Sequence, residues 1–292
     1  MRGKIIKGIA GFYYVDDGQG LVVQCRAKGV FRNRKIKPLV GDNVEFDLTD
    51  EKDLEGNVTE ILPRKNALIR PAAANVDQAL VVFAVSHPEP NLNLLDRFLV
   101  MMEAQQVPVI ICFNKADLQD EGRGEEYRRI YETAGYEVMF TSTYEETGIE
   151  QVREKLAGKT TVFAGPSGVG KSSLTNKLFP EAAMATGSIS EKIQRGRHTT
   201  RHTELFSLGN HTYMMDTPGF SSMYIENMEA SELKNYFPEF ARWEDQCRFL
   251  GCVHIGERDC GVKDAVQRGE IPESRYENYR LIYQELKDKR RY

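Results

Sequence analysis

Long apolar runs are absent from this sequence of 292 residues. The longest, at residues 79–85, is far short of the ~18 residues that cross a bilayer, so we expect no membrane-spanning helix. The first residues lack the apolar core of about 7–15 residues and the cleavage site of a secretory signal, so we expect none. Neither charge sign dominates, since the formal net charge is −4. This value excludes a uniformly basic nucleic-acid coat but permits a local basic patch.

Cysteine is also scarce, with five in the chain. An odd number of cysteines without a signal peptide argues against a secreted disulfide framework and favours the reducing cytosol. The remaining composition, 41% hydrophobic and 28% charged, excludes a wholly disordered chain. The length is twice the ~150 residues usual for one domain, which predicts two or three domains.

Short β-type runs separated by Gly and Asp turns fill the first region, residues 1–68. The predicted strands are residues 4–9, 11–15, 21–27, 43–48 and 56–62. Five short strands at close spacing favour a small β-barrel of the OB type, although an SH3-like barrel would give a similar pattern.

Apolar strands alternate with amphipathic helices in the second region, residues 72–222. The predicted strands are residues 78–85, 107–113, 137–141, 160–164 and 212–215. One helix between them carries Leu94, Leu95, Phe98, Leu99 and Met102 on one side. This alternation predicts a mainly parallel sheet covered by helices.

The third region, residues 223–292, loses the strand pattern and ends in a predicted helix. Tyr276, Tyr279, Tyr283 and Leu286 recur along it at helical spacing. We expect this stripe to pack on the rest of the region, since aromatic stripes are more often core than surface. Contact with RNA is the alternative.

A complete phosphate-loop motif, G-x-x-x-x-G-K-S, occupies residues 165–172 between a predicted strand and a predicted helix. Its backbone N–H groups and the helix N-terminus suit a triphosphate. Lys171 would act on the β- and γ-phosphates and Ser172 would bind Mg²⁺. The predicted nucleotide-binding residues here are Gly165, Pro166, Ser167, Gly168, Val169, Gly170, Lys171, Ser172 and Ser173.

Two further loops follow predicted strands. Asp216-Thr217-Pro218-Gly219 places Asp216 for the Mg²⁺ shell and the Gly219 N–H for the γ-phosphate, although ordinary turns also produce D-x-x-G. Asn114-Lys115-Ala116-Asp117 supplies a carboxylate that accepts two hydrogen bonds from guanine, a donor pair that adenine lacks. Ser142 and Thr143 end another strand and would offer backbone N–H groups to the guanine oxygen.

The order of these motifs is unusual. In ordinary small GTPases the phosphate loop comes first, whereas here the N-K-A-D loop at 114–117 precedes the phosphate loop at 165–172. A rotated chain can build the same sheet, because the termini of a domain usually lie close together at its surface. We hypothesise that the segment after Gly219, now the exit into the third region, transmits movement to it.

Four soft metal ligands lie within 14 residues, in the spacing Cys247-x4-Cys252-x-His254-x5-Cys260. Three thiolates and an imidazole suit a closed, structural Zn²⁺ site without catalytic function. Free buried cysteines are the alternative.

A basic cluster without acids lies between predicted barrel strands. Its members are Arg26, Lys28, Arg32, Arg34, Lys35 and Lys37. Such a cluster suits backbone phosphates, and OB folds commonly bind nucleic acid, so we predict RNA binding; a solvated loop is the alternative. A second basic run, with Lys192, Arg195, Arg197 and Arg201, precedes the D-T-P-G strand.

The barrel, the motif order N-K-A-D, G-P-S-G-V-G-K-S, D-T-P-G and the Cys/His cluster together resemble the RsgA family, the bacterial ribosome small subunit-dependent GTPases, over essentially the whole chain. The resemblance implies a multi-domain α/β protein: an OB-like barrel, a circularly permuted P-loop GTPase domain and a C-terminal helical zinc-binding domain. It implies a factor that acts late in small-subunit maturation, contacts rRNA through the barrel and the zinc domain, hydrolyses GTP when stimulated by the ribosome and is thereby released. We also expect it to be cytoplasmic and monomeric.

By the same resemblance, residues 196–200 match the family's switch region. Thr200, or less favourably Thr199, would then bind Mg²⁺ and the γ-phosphate. Phe220 stands where Ras-like enzymes carry a water-orienting Gln, so His198 is our candidate for that task, with a surface or RNA-contacting histidine as the alternative. Thr143 departs from the Ala usual in the family's Ser-Ala loop, a change that a backbone contact would tolerate.

Two other functions remain open at this point. One is a P-loop kinase or ATPase, against which the N-K-A-D loop argues. The other is an RNA-binding module whose nucleotide acts only as a switch with negligible turnover, a reading that the missing Gln favours slightly.

Overall fold

The computed structural model describes residues 1–27, 31, 37–50, 52–69, 71–120, 122–180, 203–216, 225 and 228–289. The chain divides into two compact units. The first comprises Met1–Leu80, Glu146–Gly165 and Gly170–Pro218. The second comprises Val81–Glu145, Pro166–Val169 and Gly219–Tyr292.

Strands dominate the first half of the chain. The strands are β1 (Arg2–Ile9), β2 (Phe12–Asp16), β3 (Val22–Ala27), β4 (Asn43–Asp50), β5 (Glu55–Ile61), β6 (Ala67–Leu68), β7 (Ala73–Ala74), β8 (Gln78–Ala84), β9 (Val109–Asn114), β10 (Glu137–Thr141), β11 (Thr160–Ala164), β12 (Leu205–Ser207) and β13 (Tyr213–Asp216).

From residue 92 onward, helices alternate with the strands in the described ranges. The α-helices bounded within the described ranges are α1 (Leu92–Glu103), α2 (Arg123–Glu132), α3 (Ile149–Leu156), α4 (Lys171–Leu178), α5 (Gly261–Gln267) and α6 (Glu273–Lys289). Short 3-10 segments occupy Ala116–Leu118, Ala230–Tyr236, Pro238–Phe240 and Glu244–Gln246. No helix within the described ranges is long and apolar enough to cross a membrane.

Strands β1 to β5 close into a barrel in the order β1-β2-β3-β5-β4. Its pairings are antiparallel except for β3 with β5, which is parallel. Since alternate residues of a strand share one face, Val23 and Cys25 of β3 point into the same interior as Val44 and Phe46 of β4, and all four are fully buried. The predicted OB-like barrel is confirmed.

A six-stranded sheet has the order β10-β9-β8-β11-β13-β12. The pairs β9/β10 and β11/β13 are parallel, as the alternating pattern predicts, and β12 joins the edge antiparallel to β13. Strand β12 is missing from the prediction, because three residues are too few for a periodic pattern to identify. Every residue of β8 is buried, which is typical of a central strand covered on both faces.

Helix α1 confirms the predicted amphipathic helix. Leu95, Phe98, Leu99 and Met102 are buried, while Leu94 is half-buried. The 3.6-residue period places the four buried side chains in one stripe. They contribute to the apolar core of the second unit.

The C-terminal helix α6 packs through its tyrosines, as expected. Tyr279 is fully buried, and its ring lies edge-on to Phe237 and Phe240, with centroids 5.1 and 4.9 Å away. Tyr276 and Tyr283 are partly buried against the same apolar cluster, and Leu286 belongs to its core.

One buried ion cluster joins α1 and α6 within the second unit. The Arg275 guanidinium donates to Asp96 Oδ1 at 2.6 Å and to both carboxylate oxygens of Glu239 at 2.7 and 3.1 Å. Asn278 Nδ2 donates to the other oxygen of Asp96 at 2.6 Å. The Arg275 side chain is 1% exposed and lies 4.6 Å from the Phe237 ring centroid, so the charge is held entirely inside protein.

Candidate nucleotide-binding site and metal centre

The phosphate loop runs from the end of β11 to the start of α4. Its strand is buried at every position, which fixes where the loop begins. Gly168 and Gly170 adopt φ values of +83° and +89°, which residues with a Cβ rarely adopt, so the turn requires glycine there. Lys171, the first residue of α4, donates to the carbonyl of Gly165 at 2.6 Å and so folds back over the loop.

The N-K-A-D loop begins at the last residue of β9. Asn114 is fully buried, and its Nδ2 donates to the carbonyl of Val169 in the phosphate loop at 2.9 Å. Its Oδ1 accepts a hydrogen bond from Thr141 Oγ1 at 3.0 Å. One buried amide therefore ties the predicted base loop to the phosphate loop and to the end of β10, which places these predicted residues side by side.

Asp117 is positioned by Ser142. The Ser142 hydroxyl donates to Asp117 Oδ1 at 2.5 Å and accepts from the Glu145 N–H at 3.0 Å. A serine side chain that is itself fully buried and bonded on both sides fixes the rotamer of the carboxylate. Thr143, the next residue, is half-buried.

Sequence reasoning missed the turn after β8, residues 86–88. The His87 carbonyl accepts from Lys115 Nζ at 2.5 Å, and Ser86 Oγ donates to the carbonyl of Leu118 at 2.9 Å. Pro88 lies near Gly168, with its Cδ 3.8 Å from where a Cβ on that glycine would stand. Polar residues shortly after a mainly apolar strand were the available signal, since strand ends of parallel sheets carry binding loops.

Several predicted site residues fall beyond the described ranges. These are Thr199, Thr200, His198, Gly219 and the side chain of Asp216. Among the predicted Mg²⁺ ligands, Ser172 is described: it is half-buried at the second position of α4, and its hydroxyl is the hard oxygen donor that Mg²⁺ prefers. Ser173 is exposed.

The predicted metal ligands converge. The donor atoms of Cys247, Cys252, His254 and Cys260 all lie within 4.8 Å of one another. Cys260 Sγ lies 3.9 Å from Cys247 Sγ, 3.8 Å from Cys252 Sγ and 3.4 Å from His254 Nδ1. Zn–S bonds of ~2.3 Å in a tetrahedron place neighbouring sulfurs ~3.8 Å apart, so the four donors fit a Zn²⁺ ion.

The surroundings of the cluster favour the same ion. His254 Nε2 lies 3.2 Å from Glu244 Oε1, the carboxylate–histidine arrangement that fixes the tautomer of a metal ligand. Burial lowers the pKa of His254 although Glu244 opposes this, which favours the neutral, ligating imidazole. Burial raises the pKa of Cys252 to about 12, so this residue would be a thiolate at neutral pH only with a cation beside it.

Helix α6 supports the metal-ligand loop directly. The Tyr276 and Tyr279 hydroxyls donate to the carbonyls of His254 and Val253 at 2.6 and 2.5 Å. Glu257 accepts from the backbone N–H groups of Val253 and Ile255 at 2.7 and 2.9 Å. Three side chains, Tyr276, Tyr279 and Glu257, therefore hold the backbone of the loop in addition to its four predicted metal ligands.

Two of the predicted RNA-binding residues lie in described segments. Arg26 stacks on the Phe12 ring, with its guanidinium carbon 4.9 Å from the centroid, and Lys37 is exposed. Lys28, Arg32, Arg34 and Lys35 lie outside the described residues. Their use in RNA binding stays a prediction.

Comparison with known proteins decides the family. A family model described as RsgA GTPase matches residues 61–226, and one described as RsgA N-terminal domain matches residues 2–56. The chain belongs to the RsgA family of GTPases. The resemblance drawn from the motifs is thereby confirmed.

Relatives match the chain along essentially its whole length. The small ribosomal subunit biogenesis GTPase RsgA of Agathobacter rectalis is 55% identical, with 100% of each chain covered. The crystal structure of YloQ, a circularly permuted GTPase, is 39% identical with a TM-score of 0.79, and the match covers 99% of this chain and 95% of that one. YjeQ from Thermotoga maritima is 38% identical with a TM-score of 0.80, and 98% of each chain is covered.

Proposed function

We propose that the protein hydrolyses GTP as a late assembly factor of the small ribosomal subunit, that it binds rRNA through its barrel, and that hydrolysis leads to its release. Its proposed partners are the small subunit, GTP and GDP, and we propose that it acts in the cytoplasm as a monomer. Family membership and the name of its relative in Agathobacter rectalis support the first part.

One observation carries the choice of guanine nucleotide. The Asp117 carboxylate is held by a buried serine, and the same loop is joined to the phosphate loop by the Asn114–Val169 hydrogen bond. A fixed carboxylate beside a phosphate cradle is complementary to the two N–H donors of guanine. Adenine offers no such donor pair, so the carboxylate would keep only its bond from Ser142 and lose both partners on the base, which a partly buried site penalises.

Hydrolysis would proceed by positioning and electrostatic stabilisation. Lys171 and the backbone N–H groups of the phosphate loop would bind the β- and γ-phosphates and stabilise the charge that develops on them. Ser172, with Asp216 and Thr200, would hold the Mg²⁺ that neutralises phosphate charge. We propose that His198 orients the attacking water, since Phe220 cannot.

The test replaces Asp117 by asparagine. A hydrogen bond to a charged group contributes about 1.5–3 kcal/mol, so D117N should weaken GDP binding about 10- to 150-fold. The affinity of D117N for xanthine nucleotides should rise, because their C2 oxygen accepts a hydrogen bond from the amide N–H₂ of the asparagine. Competition of GDP, xanthosine diphosphate and ADP against a fluorescent GDP measures both effects.

The matched control is Asp120→Asn, which alters an exposed carboxylate three residues further along the same segment. It should leave all three affinities unchanged. Equal preference of the native protein for ADP and GDP, or unaltered base selectivity in D117N, would contradict the proposal.

A further inference from the structure

The barrel and the β12–β13 hairpin of the first unit meet at Lys7 and Glu204. Lys7 Nζ lies 2.9 Å from Glu204 Oε1, with side chains 32% and 39% exposed. The backbones of the two residues also form an antiparallel bridge. Strand β1 pairs with β4 only through Arg2–Lys4, which leaves its edge available to Glu204 at Lys7.

A β-bulge is what aims Lys7 outward. In a regular strand Lys7 would share the face of Ile5, which is fully buried inside the barrel. The register of β1 against β2 shifts between Ile5 and Lys7, and such a bulge turns the following side chains to the opposite face. The ammonium group thus leaves the barrel interior and meets Glu204.

Glu204 stands beside the strand that leads to the predicted Mg²⁺ site. Strands β12 and β13 pair with Leu205 opposite Met215, so continuing the register by one residue sets the Glu204 backbone opposite that of Asp216. On its other side, Asp216 pairs with Phe163 of β11, two residues before the phosphate loop. A row of adjacent backbones therefore runs from Lys7 to the phosphate loop.

The far end of the hairpin also rests on the barrel. Lys4 Nζ lies 5.5 Å from the ring centroid of Tyr213, whose side chain is buried. The His211 ring lies so close to Gly18 that a Cβ there would approach its Cε1 to 2.2 Å. The hairpin therefore contacts the barrel at both of its ends.

We infer that Glu204 is a positioning residue for GTP hydrolysis. Its pairing with Lys7 sets the backbone position of Asp216 and so links the position of the barrel strand at Lys7 to Mg²⁺ binding. The inference rests on the proposed function, in which Asp216 belongs to the Mg²⁺ shell. An ion pair with both partners a third exposed contributes little to folding, so its replacement should leave the fold intact.

The experiment uses the full chain with Lys7→Met, Glu204→Gln and the charge-reversed double variant K7E/E204K. Binding of a fluorescent, non-hydrolysable GTP analogue is measured in Mg²⁺ and in EDTA. A pair this exposed contributes at most a factor of about five to an equilibrium, so each single variant should lose between about twofold and fivefold of the affinity gained from Mg²⁺. Affinity in EDTA should not change, and the double variant should recover the gain.

A control variant, Glu45→Gln, breaks the 3.0 Å Arg2–Glu45 ion pair between β1 and β4, which does not reach the hairpin. This variant should gain as much affinity from Mg²⁺ as the native protein does. Single variants that keep the native Mg²⁺ gain, or a double variant no better than the singles, would overturn the inference.

Hydrolysis with purified small ribosomal subunits gives a second readout. Both single variants should show weaker stimulation than the native protein, and the charge-reversed variant should restore it. Absence of stimulation in the native protein would refute the proposed function instead, and the Mg²⁺ comparison would still decide the role of Glu204.

Discussion

Replacing Arg275 by methionine is the sharpest test of how the second unit is held together. The guanidinium is the only cation among the buried partners described above, where it faces the carboxylates of Asp96 and Glu239. Methionine keeps much of the side-chain volume but removes the charge and all three hydrogen bonds. Two carboxylates, with side chains 0% and 2% exposed, would then lie next to each other without a counter-ion.

The expected cost is large. Removing one partner of a buried ion pair typically destabilises a protein by about 3–5 kcal/mol, because the remaining charge is uncompensated. With a urea dependence of about 2 kcal/mol per molar, the unfolding midpoint should fall by about 1.5–2.5 M.

A pH dependence accompanies this loss. Burial raises the pKa of Asp96, and the Arg275 charge opposes the rise, so R275M should raise that pKa further. In the folded state of R275M, Asp96 then keeps a proton that it has already released in the unfolded state. The stability of the variant therefore falls as the pH rises from the unfolded-state pKa of Asp96 towards its folded-state pKa. The deficit relative to the native protein should therefore be smaller at pH 6 than at pH 8.

The single tryptophan provides a local assay, since Trp243 packs against the apolar cluster of the second unit. Its fluorescence during urea unfolding reports this unit rather than the whole chain, which matters because multidomain proteins need not unfold in two states. Arg280→Met, which removes an exposed pair with Glu277 on the same helix, is the control and should cost under about 0.5 kcal/mol. A loss below about 1 kcal/mol in R275M, or a deficit that grows at pH 6, would refute the reasoning.

Two further predictions concern the metal and the catalytic group. Cys260→Ser should reduce bound zinc from about one ion per chain to under about a tenth, because a closed tetrahedral site needs all four ligands. Mass spectrometry of the purified protein measures the bound zinc. The control Cys25→Ser, in the barrel, should retain the zinc, and equal zinc in both variants would exclude the site. His198→Ala should abolish ribosome-stimulated phosphate release while nucleotide affinity stays unchanged, with His202→Ala as control; full stimulated turnover in H198A would exclude the proposed role.

Local patterns predicted much of this molecule because they report local physics. Alternation in Val23 and Cys25 indicated a barrel wall, and a helical stripe through Phe98 and Met102 indicated a covered sheet. The metal ligands were predictable for the same reason, since their residue types and spacing lie within one short loop.

Partners far apart along the chain could not be predicted in this way. Arg275 and Asp96 are 179 residues apart, and a charged residue on a polar helix indicates solvent exposure unless its partners are known. The bulge beside Lys7 depends on packing against β2 rather than on the sequence of β1 alone. The Ser142–Asp117 bond likewise depends on the parallel pairing that aligns the ends of β9 and β10.

The shuffled motif order has a consequence for synthesis of the chain. Translation proceeds from the N-terminus, so the loop at 114–117 is made before the phosphate loop at 165–172. A nascent chain that ends between them carries the groups proposed to bind the purine ring but not the loop proposed to bind the phosphates. Guanine nucleotide therefore cannot assist the earliest folding on the translating ribosome, and the barrel must form without it.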